Sequence, residues 1–478
     1  MKFQPKKLLA LILAGLMVLP AVSCANEEDS VETKDPSATT AAVTEEDTGY
    51  KPDIEKTDYD CDFVITGTYN IYSNAVVDDE YKAGDPFEDS IYERTVRIKD
   101  HLGVDVSRSS AGDWTEYTSV VLRSVQSGDD TYQLVATHPH GGISTMMTSG
   151  AMYDFAELDA VNLNAPYWTM SFMEELTVND KYLIGYNDFC LSNTMTIVFN
   201  KDLMTKYQLT APYADATNKA WTLDKLISMA SVVTEDNGDN IRDEKDTYGI
   251  IGWGWTDFIS LTIGCGVKIV DRDENGDPYV AYADDNEKML SILEKVDGMS
   301  EADYGYFWTP GTSRDGKSVS FGDGKALFWL MESSGFTGLR EEPVRFGVLP
   351  YPLYDEKQED YYSLSWNGVL MIPGSIKNTK MVGEVIELLA YYTAPVKVAY
   401  YEDLLGSKLA EAPEDAAMLD IIWDSQVCDI GLITGCSMLY MTPELCNSGI
   451  NTYASYLKSR TKAANKELNK IFNPRTRG

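Results

Sequence analysis

Short β-branched segments alternate with amphipathic segments between residues 61 and 137, and this alternation constrains the fold more than any other feature of the chain. It predicts strands at 62–66, 104–107 and 132–137. A helix is predicted over 90–102, where Gly103 ends it, and a second helix ends before Gly128. Neighbouring parallel strands need a long crossover, so this order predicts a parallel α/β sheet. Ligands of such sheets bind beyond the carboxyl ends of the strands.

A second set of elements begins near residue 195. It comprises predicted strands at 195–200, 346–349 and 368–372 and predicted helices at 222–232, 381–392 and 452–471. Residues 268–282 form a predicted hairpin around Asn275-Gly276, because an Asn-Gly pair readily takes the left-handed backbone of a tight turn. With 478 residues, 44% of them hydrophobic, the chain has enough apolar material for more than one core. The sequence therefore predicts two α/β lobes.

The amino terminus resembles a bacterial lipoprotein signal. Lysines precede an apolar run over 8–22, which ends in the lipobox Ala21-Val22-Ser23-Cys24. The run is shorter than the ~20 residues that span a bilayer core, which predicts a cleaved signal peptide at 1–23 and lipidation of Cys24. Such signals usually carry Leu where Ala21 stands, so cleavage by an ordinary signal peptidase remains the alternative.

Residues 24–60 are rich in Glu, Asp, Thr, Ser and Ala, which predicts a disordered tether between the lipid and the folded part. No later segment reaches ~18 uninterrupted apolar residues, so we expect membrane contact through the lipid anchor alone. The 75 acidic and 40 basic side chains give a net charge of −35, which repels phosphate backbones. This charge argues against nucleic acid as a partner.

The cysteines do not indicate a metal or redox site. Those after Cys24 are Cys61, Cys190, Cys265, Cys428, Cys436 and Cys446. None has C-x-x-C spacing, which argues against a zinc site and against a thioredoxin-like pair. Disulfides and buried free thiols both remain open for an exported chain.

Five short motifs follow one another along the chain. They are Trp114-Thr-Glu-Tyr117 with 127–135, Glu175-Leu-Thr-Val-Asn-Asp-Lys-Tyr182 with 199–203, Trp221-Thr-Leu-Asp224, Phe321-Gly-Asp-Gly-Lys-Ala-Leu327 and Phe346-Gly-Val-Leu-Pro350. Together they resemble the family 1 extracellular solute-binding proteins, the carbohydrate-leaning receptors of ABC importers, over about residues 60–470. The resemblance implies a periplasmic-binding-protein type II fold, in which hinge strands join two α/β lobes around an interlobe ligand cleft.

The resemblance also implies limits for the lobes, with crossings near 184–188 and 349–351. Lobe 1 would comprise 61–186 and a return at 350–425, lobe 2 would comprise 187–349, and C-terminal helices at 426–478 would lie mostly on lobe 2. A ligand that touches both lobes would drive their closure.

The implied function is capture of a carbohydrate, of oligosaccharide size, and its delivery to the transmembrane subunits of an ABC-type permease. The chain would act as a lipid-anchored monomer on the extracellular face of the bacterial cell membrane, with no catalytic residues and no required cofactor. A receptor for peptide or another polar solute is one alternative. An exported polysaccharide-active enzyme, which needs two paired carboxylates, is the other.

Sugar sites combine aromatic platforms for the apolar C–H faces with polar side chains for the hydroxyls. Trp253 and Trp255 would point to one face if their segment is a strand, either as a platform in the cleft or as core beneath a helix. Asp257 follows them as a polar candidate. Trp366 and Asn367, after the second crossing, form the other candidate pair, with hinge packing as its alternative.

Further polar candidates follow the predicted strand ends and crossings. They are Tyr69, Asn70, His138, Asp188 and Glu332, with His140, Asn187 and Ser333 beside them. Glu332 comes from the resemblance, because in the family the residues after the Gly-Lys-Ala strand face the cleft. His138 and His140 have no third ligand nearby in the sequence, so they do not indicate a metal.

An acidic segment between residues 235 and 246 has the ligand spacing of an EF-hand loop. Its oxygen ligands would be Glu235, Asn237, Asp239, the carbonyl of Ile241, Asp243 and Asp246. Asn240 replaces the usual Gly, and Asp246 is shorter than the usual bidentate Glu. The segment therefore predicts either a weak structural calcium site or a solvated loop capped by its own side chains.

Overall fold

The computed structural model describes residues 50–67, 76–77, 81, 83–112, 116–140, 142–191, 193–308, 319–339, 342–406 and 413–473. The strands are β1 Cys61–Gly67, β2 Val104–Ser110, β3 Leu134–Thr137, β4 Met152–Tyr153, β5 Met195–Asn200, β6 Thr234–Glu235, β7 Thr247–Trp253, β8 Val270–Arg272, β9 Pro278–Val280, β10 Gly305–Trp308, β11 Ala326–Glu332, β12 Phe346–Leu349, β13 Ser363–Leu364, β14 Val369–Pro373 and β15 Gln426–Val427. The α-helices are α1 Pro86–Leu102, α2 Tyr117–Ser127, α3 Ile143–Ser149, α4 Met170–Glu175, α5 Lys201–Lys206, α6 Tyr213–Thr217, α7 Leu223–Ala230, α8 Thr256–Gly264, α9 Asn286–Glu301, α10 Thr379–Tyr391, α11 Ala394–Gly406, α12 Pro413–Asp424, α13 Ile430–Thr434, α14 Met441–Ser448 and α15 Tyr453–Phe472.

The first sheet, of lobe 1, has the strand order β2, β1, β3, β14, β4. β1 runs parallel to β2 and to β3, as the sequence predicts, whereas β14 is antiparallel to β3 and to β4. α1 begins at Pro86 rather than at residue 90, because the Asp85 side chain caps it by accepting from two backbone N–H groups. Gly103 ends α1 in the left-handed conformation, with φ 64°, as predicted.

The second sheet, of lobe 2, has the strand order β10, β7, β11, β5, β12, with β6 paired to β7. β7 is parallel to β10 and β11, whereas β5 is antiparallel to β11 and β12. The predicted hairpin is the antiparallel pair β8 and β9, with Gly276 at φ 82° in its turn. Two separate sheets, each flanked by helices, confirm the predicted α/β fold with two lobes.

The chain passes between the sheets after β4 and again before β14. These two crossings lie side by side, because the backbone N–H of Trp366 donates to the carbonyl of Asn193 at 2.9 Å. A third segment joins them where β15 pairs in parallel with β13. The interlobe crossings therefore form a small three-part hinge region that includes a strand from the C-terminal part of the chain.

The predicted return to lobe 1 at residue 350 is too early. Leu353 still pairs with lobe 2, where its backbone N–H donates to the carbonyl of Trp221 at 3.0 Å. Tyr361 is also held there, since its hydroxyl donates to the carbonyl of Ala216 at 2.9 Å. α12 packs on β12 and α6 of lobe 2, so the return to lobe 1 ends before it. The remaining lobe limits stay a prediction.

The predicted tether, 24–60, is too long at its carboxyl end. Residues 50–60 pack on lobe 1, where the backbone N–H of Tyr59 donates to the carbonyl of Leu102 at 2.8 Å. The Tyr59 hydroxyl also donates to the Glu384 carboxylate at 2.8 Å. Polar composition suggested disorder, but backbone pairing to the end of α1 holds the segment in place. The part of the prediction over 24–49, with Cys24, lies outside the described residues.

All six cysteines after Cys24 are free thiols, and Cys190, Cys265 and Cys436 are buried. This arrangement matches the second of the two alternatives that the sequence left open. Within the described part of the chain, no helix combines the length and apolar character needed to cross a bilayer.

Candidate ligand-binding site

The carboxyl end of β11 lies directly against the first crossing. Its last residue, Glu332, accepts a hydrogen bond at Oε2 from Asn193 Nδ2 at 2.7 Å. The next residue, Ser333, is tied to the crossing by its backbone N–H, which donates to the Thr194 carbonyl at 2.9 Å, and by its hydroxyl, which accepts from the Thr194 N–H at 3.1 Å. Glu332 therefore lies where lobe 2 meets the hinge.

Glu332 is half-buried as a residue, whereas Ser333, which follows it, is 1% exposed. Burial raises the pKa of the Glu332 carboxyl above its usual value, and the hydrogen bond from Asn193 opposes that shift. Among the described residues, no Lys or Arg forms an ion pair with it. Among the described residues, Glu332 is thus an acceptor that receives a hydrogen bond from Asn193 and forms no ion pair.

The Asn367 side chain contacts residues of the two crossings and is not exposed to an open cleft. The side chain is 2% exposed, and its Oδ1 accepts from the backbone N–H of Asn193. Its Nδ2 donates to the Tyr186 hydroxyl. These contacts use most of the hydrogen-bonding capacity of the Asn367 amide. They favour hinge packing, the alternative to ligand binding, for this residue.

Trp366 and His138 bring the hinge and lobe 1 together. The Trp366 ring is 4% exposed and lies 5.5 Å from the His138 ring, which follows β3. The indole Nε1 of Trp366 is buried and has no hydrogen-bond partner among the residues that the structure describes. Burial lowers the pKa of His138 to about 4, so this imidazole is neutral at neutral pH.

A second aromatic contact joins lobe 2, lobe 1 and the C-terminal segment. Tyr440, which precedes α14, packs edge to face on Trp255 with ring centroids 4.7 Å apart. Its hydroxyl lies 2.6 Å from Nε2 of His140 and is hydrogen-bonded to it. Trp255 Nε1 is buried and finds no hydrogen-bond partner within the described part of the chain. Burial also lowers the pKa of His140.

We define the interlobe aromatic cluster as His138, His140, Trp255, Trp366 and Tyr440. Its members come from the end of β3, the start of α8, the second crossing and the segment before α14. The cluster presents aromatic faces together with buried indole N–H donors. An assembly from both lobes and the hinge is what a ligand-closed cleft requires.

Trp253 and Trp255 do not share a strand face, so that premise of the prediction is wrong. β7 ends at Trp253, and Trp255 is the residue that precedes α8. Asp257 turns the chain there, because its Oδ2 accepts from the backbone N–H of Trp253. Trp253 is 38% exposed, whereas Asp257 is 2% exposed and is bonded to the Tyr351 hydroxyl at 3.3 Å. Asp257 is therefore a structural residue of this turn.

Other predicted site residues are placed elsewhere. Asp188 forms an ion pair with Lys397 of α11 at 2.8 Å, with both side chains 30% exposed. Asn187 is 1% exposed, and its Oδ1 accepts from the N–H of Phe189. Tyr69 and Asn70 lie outside the described residues. Among the contacts of the described residues, none brings Asp188 to the interlobe aromatic cluster.

Sequence reasoning missed Tyr440 and Asn193. Tyr440 is one of 30 tyrosines, and no motif or spacing distinguishes it. Asn193 precedes β5 without a recognisable pattern. Both act through contacts with residues more than 130 positions away, which single-sequence periodicity does not register.

The structure gives no support to the calcium prediction for 235–246, because side chains of the loop bond to the backbone of the loop itself. Asp246 accepts from the N–H of Asn237 at 2.9 Å, and Asp239 accepts from the N–H of Ile241 at 2.8 Å. Glu235 points to other partners, with an ion pair to Lys206 at 2.6 Å. Asp243 pairs with Lys245 at 2.8 Å.

No group of three His, Cys, Asp or Glu side chains able to hold a metal occurs anywhere in the described ranges. Asn240 does take the left-handed conformation, with φ 60°, which the sequence reasoning required of it. These contacts favour the self-capped loop that was its alternative, and the calcium site stays a prediction.

The sequence model of the family described as bacterial extracellular solute-binding protein matches residues 83–407, which is more than half of the 478 residues. The chain belongs to this family. Membership of a family of solute-binding proteins confirms the prediction that the chain is a binding protein rather than an enzyme. No curated protein is similar enough in sequence to count as a relative.

Solved structures share the fold over most of the chain. An ABC substrate-binding protein from Listeria monocytogenes in complex with cycloalternan has a TM-score of 0.56 at 11% identity, covering 86% of this chain and 99% of that one. A solute-binding protein from Thermotoga lettingae bound with α-D-tagatose has a TM-score of 0.56 at 15% identity, covering 87% and 100%. UgpB from Mycobacterium tuberculosis in complex with glycerophosphocholine has a TM-score of 0.55 at 12% identity, covering 86% and 98%. These likenesses confirm the two-lobe fold of the solute-binding proteins.

Proposed function

We propose that this chain is the receptor subunit of an ABC-type importer and that it captures a carbohydrate of oligosaccharide size. The interlobe aromatic cluster is the observation that carries the proposal. It combines flat rings with hydrogen-bonding groups, and carbohydrate offers the matching C–H faces and hydroxyls. Two of the similar structures contain cycloalternan and α-D-tagatose, which supports the same ligand class.

The proposed binding residues have separate roles. Trp366 and Trp255 would pack on sugar C–H faces and donate their indole N–H groups to sugar oxygens. Glu332 would accept hydrogen bonds from sugar hydroxyls next to the first crossing. His138 would contact the ligand beside the Trp366 ring. Trp253, which is more exposed, would offer an outer platform for a longer ligand.

Cys24 would carry the lipid that holds the protein at the extracellular face of the bacterial cell membrane. The lipobox sequence supports this part of the proposal. A receptor of this kind would act as a monomer and would present the closed form to the transmembrane subunits of its permease. Incorporation of labelled palmitate into wild type but not into Cys24→Ser would support lipidation, and equal labelling of the two would exclude it at this residue.

Binding is tested with the chain that begins at residue 24 and carries Cys24→Ser, which keeps the protein free of lipid. Isothermal titration calorimetry and tryptophan fluorescence are measured against neutral mono- and oligosaccharides and against short peptides. We expect saturable binding of a sugar and a raised melting temperature. Binding of peptides alone would refute the carbohydrate proposal and support a peptide receptor.

The binding site is tested with Trp366→Phe and Trp255→Phe, which keep an aromatic ring and remove one N–H donor. Loss of a hydrogen bond of about 1 kcal/mol lowers affinity about fivefold to tenfold. Trp329→Phe is the matched control, because Trp329 packs on Phe321 within lobe 2, with ring centroids 5.8 Å apart. Equal affinity of all three variants would exclude the interlobe aromatic cluster as the site.

A further inference from the structure

We infer that the outward face of α15 binds the anionic headgroups of a phospholipid bilayer and so turns one side of the protein toward the membrane. We define the lysine row as the four lysines of this face, Lys458, Lys462, Lys466 and Lys470. The lysine row shares no residue with the candidate ligand-binding site, and the inference holds whichever solute that site takes.

The carboxyl-terminal segment is basic in an otherwise acidic protein. Residues 453–478 hold seven of the 40 basic side chains and one of the 75 acidic side chains, which gives them a net charge of +6. Because the whole chain carries −35, the residues before 453 carry −41. An anionic surface therefore repels most of this protein and attracts this one segment.

The lysine row follows one side of α15. Its members are four residues apart, a spacing that places side chains one above the other on a helix. From first to last the row is about 18 Å long, at ~1.5 Å of rise per residue. All four lysines are exposed, whereas Ala464, Leu468 and Ile471 are buried on the opposite side of the helix. The row therefore faces away from the body of the protein.

Contacts with both lobes hold α15 in place. The helix packs on β9 of lobe 2 and on α3 of lobe 1. The side-chain Oδ1 of Asn465 accepts from the backbone N–H of Val280 at 2.8 Å. The Arg272 guanidinium lies 4.8 Å from the centre of the Phe472 ring. The lysine row consequently has a fixed direction relative to the lobes, so binding through it would orient the whole protein.

The carboxylates of the protein do not neutralise the lysine row. Among the described residues, no Asp or Glu forms an ion pair with any of its four lysines. Arg460, on another side of α15, does form one, with Glu444 at 2.6 Å. Glu467 is the single acidic residue of the helix, and it forms no ion pair with the row. The four ammonium groups are thus available to an external anion.

The residues around the lysine row favour lipid headgroups over an acidic protein as the partner. The other exposed residues of this face are small, namely Ser455, Ser459, Ala463 and Asn469. No large hydrophobic side chain of α15, which the structure describes in full, is exposed. Protein interfaces are anchored mainly by desolvated aromatic side chains and by Arg. Lysines are strongly hydrated point charges, which suits attraction to a layer of headgroups without insertion.

The proposed lipid at Cys24 supports the same partner, and this step rests on the proposed function. Residues 24–49 separate Cys24 from the described part of the chain, and such a length of chain reaches at most on the order of 90 Å. A lipidated protein would therefore stay close to a bilayer. Charges act over about 10 Å at moderate salt, so the face nearest the membrane decides whether attraction or repulsion prevails.

The test measures co-sedimentation with vesicles, using the unlipidated chain from residue 24 that carries Cys24→Ser. One vesicle preparation is phosphatidylcholine alone, and the other contains equal parts of phosphatidylcholine and phosphatidylglycerol. We expect binding to the anionic vesicles alone at about 0.1 M NaCl and release at about 1 M NaCl, where charges are screened within ~3 Å. Each lysine close to an anionic surface strengthens binding about fivefold. The variant Lys458→Gln, Lys462→Gln, Lys466→Gln and Lys470→Gln should therefore bind at least tenfold more weakly.

The matched control removes the same charge from other exposed lysines, through Lys51→Gln, Lys56→Gln, Lys357→Gln and Lys377→Gln. None of these four forms an ion pair within the described part of the chain, so the control should bind like wild type and melt at the same temperature. Equal weakening of both variants would attribute binding to net charge and overturn the role of the lysine row.

Three other results would overturn the membrane partner. They are equal binding to both vesicle preparations, binding to neither of them, and binding to soluble poly-L-glutamate without binding to anionic vesicles, which would assign the row to an acidic polypeptide. Calorimetry of the lysine-row variant with sugar keeps the two proposals separate, because its sugar affinity should equal that of wild type. Failure of vesicle binding beside intact sugar binding would therefore leave the carbohydrate proposal standing.

Discussion

Asp429 offers a quantitative test of the structure, because it is a buried carboxylate at the junction of the C-terminal segment and lobe 2. The side chain is 5% exposed. It accepts from the backbone N–H groups of Ile269 at 2.8 Å, Val270 at 3.3 Å and Gly431 at 2.7 Å. Burial raises its pKa to about 6 from 3.8, although the three hydrogen bonds oppose this shift.

The sign of the pH effect follows from this shift. The folded-state pKa lies above the unfolded value, so between pH 3.8 and 6 the folded protein binds more protons at Asp429 than the unfolded chain. Its contribution to stability is therefore present at low pH and is lost as pH rises through 6. Between pH 5.0 and 7.5 the loss amounts to about 1.4 kcal/mol in the free energy of unfolding.

The perturbation is Asp429→Asn, which cannot ionise and therefore lacks this pH dependence. The amide should also destabilise at every pH, by about 1–3 kcal/mol, because its NH₂ group faces backbone donors. Urea unfolding of wild type and variant at pH 5.0 and 7.5 separates the two effects. The difference in stability between the two proteins should shrink by about 1.4 kcal/mol from pH 5.0 to 7.5. Other titrating groups are common to both proteins and cancel, so an equal difference at both pH values would refute the buried, raised-pKa state of Asp429.

Three further changes test other parts of the structure. Gly67→Ala should prevent folding of lobe 1, because the added Cβ would lie 1.8 Å from the Ala136 carbonyl oxygen at a backbone φ of +145°; a wild-type melting curve would contradict the pairing of β1 with β3. Glu387→Gln should lower the free energy of unfolding by about 1–3 kcal/mol, because the buried carboxylate accepts from the hydroxyl of Tyr167, and a stability equal to that of wild type in urea would exclude this contact as a stabilising one. Millimolar calcium should leave the melting temperature unchanged relative to EDTA, and a rise that Asp239→Asn abolishes would restore the calcium site.

The sequence predicted the local elements well, because their signals are local. The parallel pairing of β1 with β2 and β3 followed from alternation of strand and helix patterns, and the end of α1 followed from Gly103. The start of α1 was missed by four residues, since Asp85 competes with later residues as a cap and its hydrogen bonds decide the outcome.

The site was predicted only in part. Trp366 and His138 were singled out from their positions, and the structure brings them together at 5.5 Å. Trp255 was singled out for the wrong reason, since its strand ends two residues earlier. The calcium spacing found no support in the structure, because ligand spacing does not distinguish side chains that point inward to a metal from side chains that bond to neighbouring N–H groups.

The amino-acid sequence by itself determined the class of this protein. Hydrophobic periodicity, turn residues and the order of a few motifs act over short distances, and together they specify two α/β lobes and membership among the extracellular solute-binding proteins. The tertiary structure decided which side chains meet between those lobes. His140 and Tyr440 are 300 positions apart, and Asn193 and Glu332 are 139 apart, so only the folded chain brings each pair within hydrogen-bond distance. Burial then sets the charge state of these groups, because removal of water disfavours a charged side chain, and that effect has no signature in the local sequence.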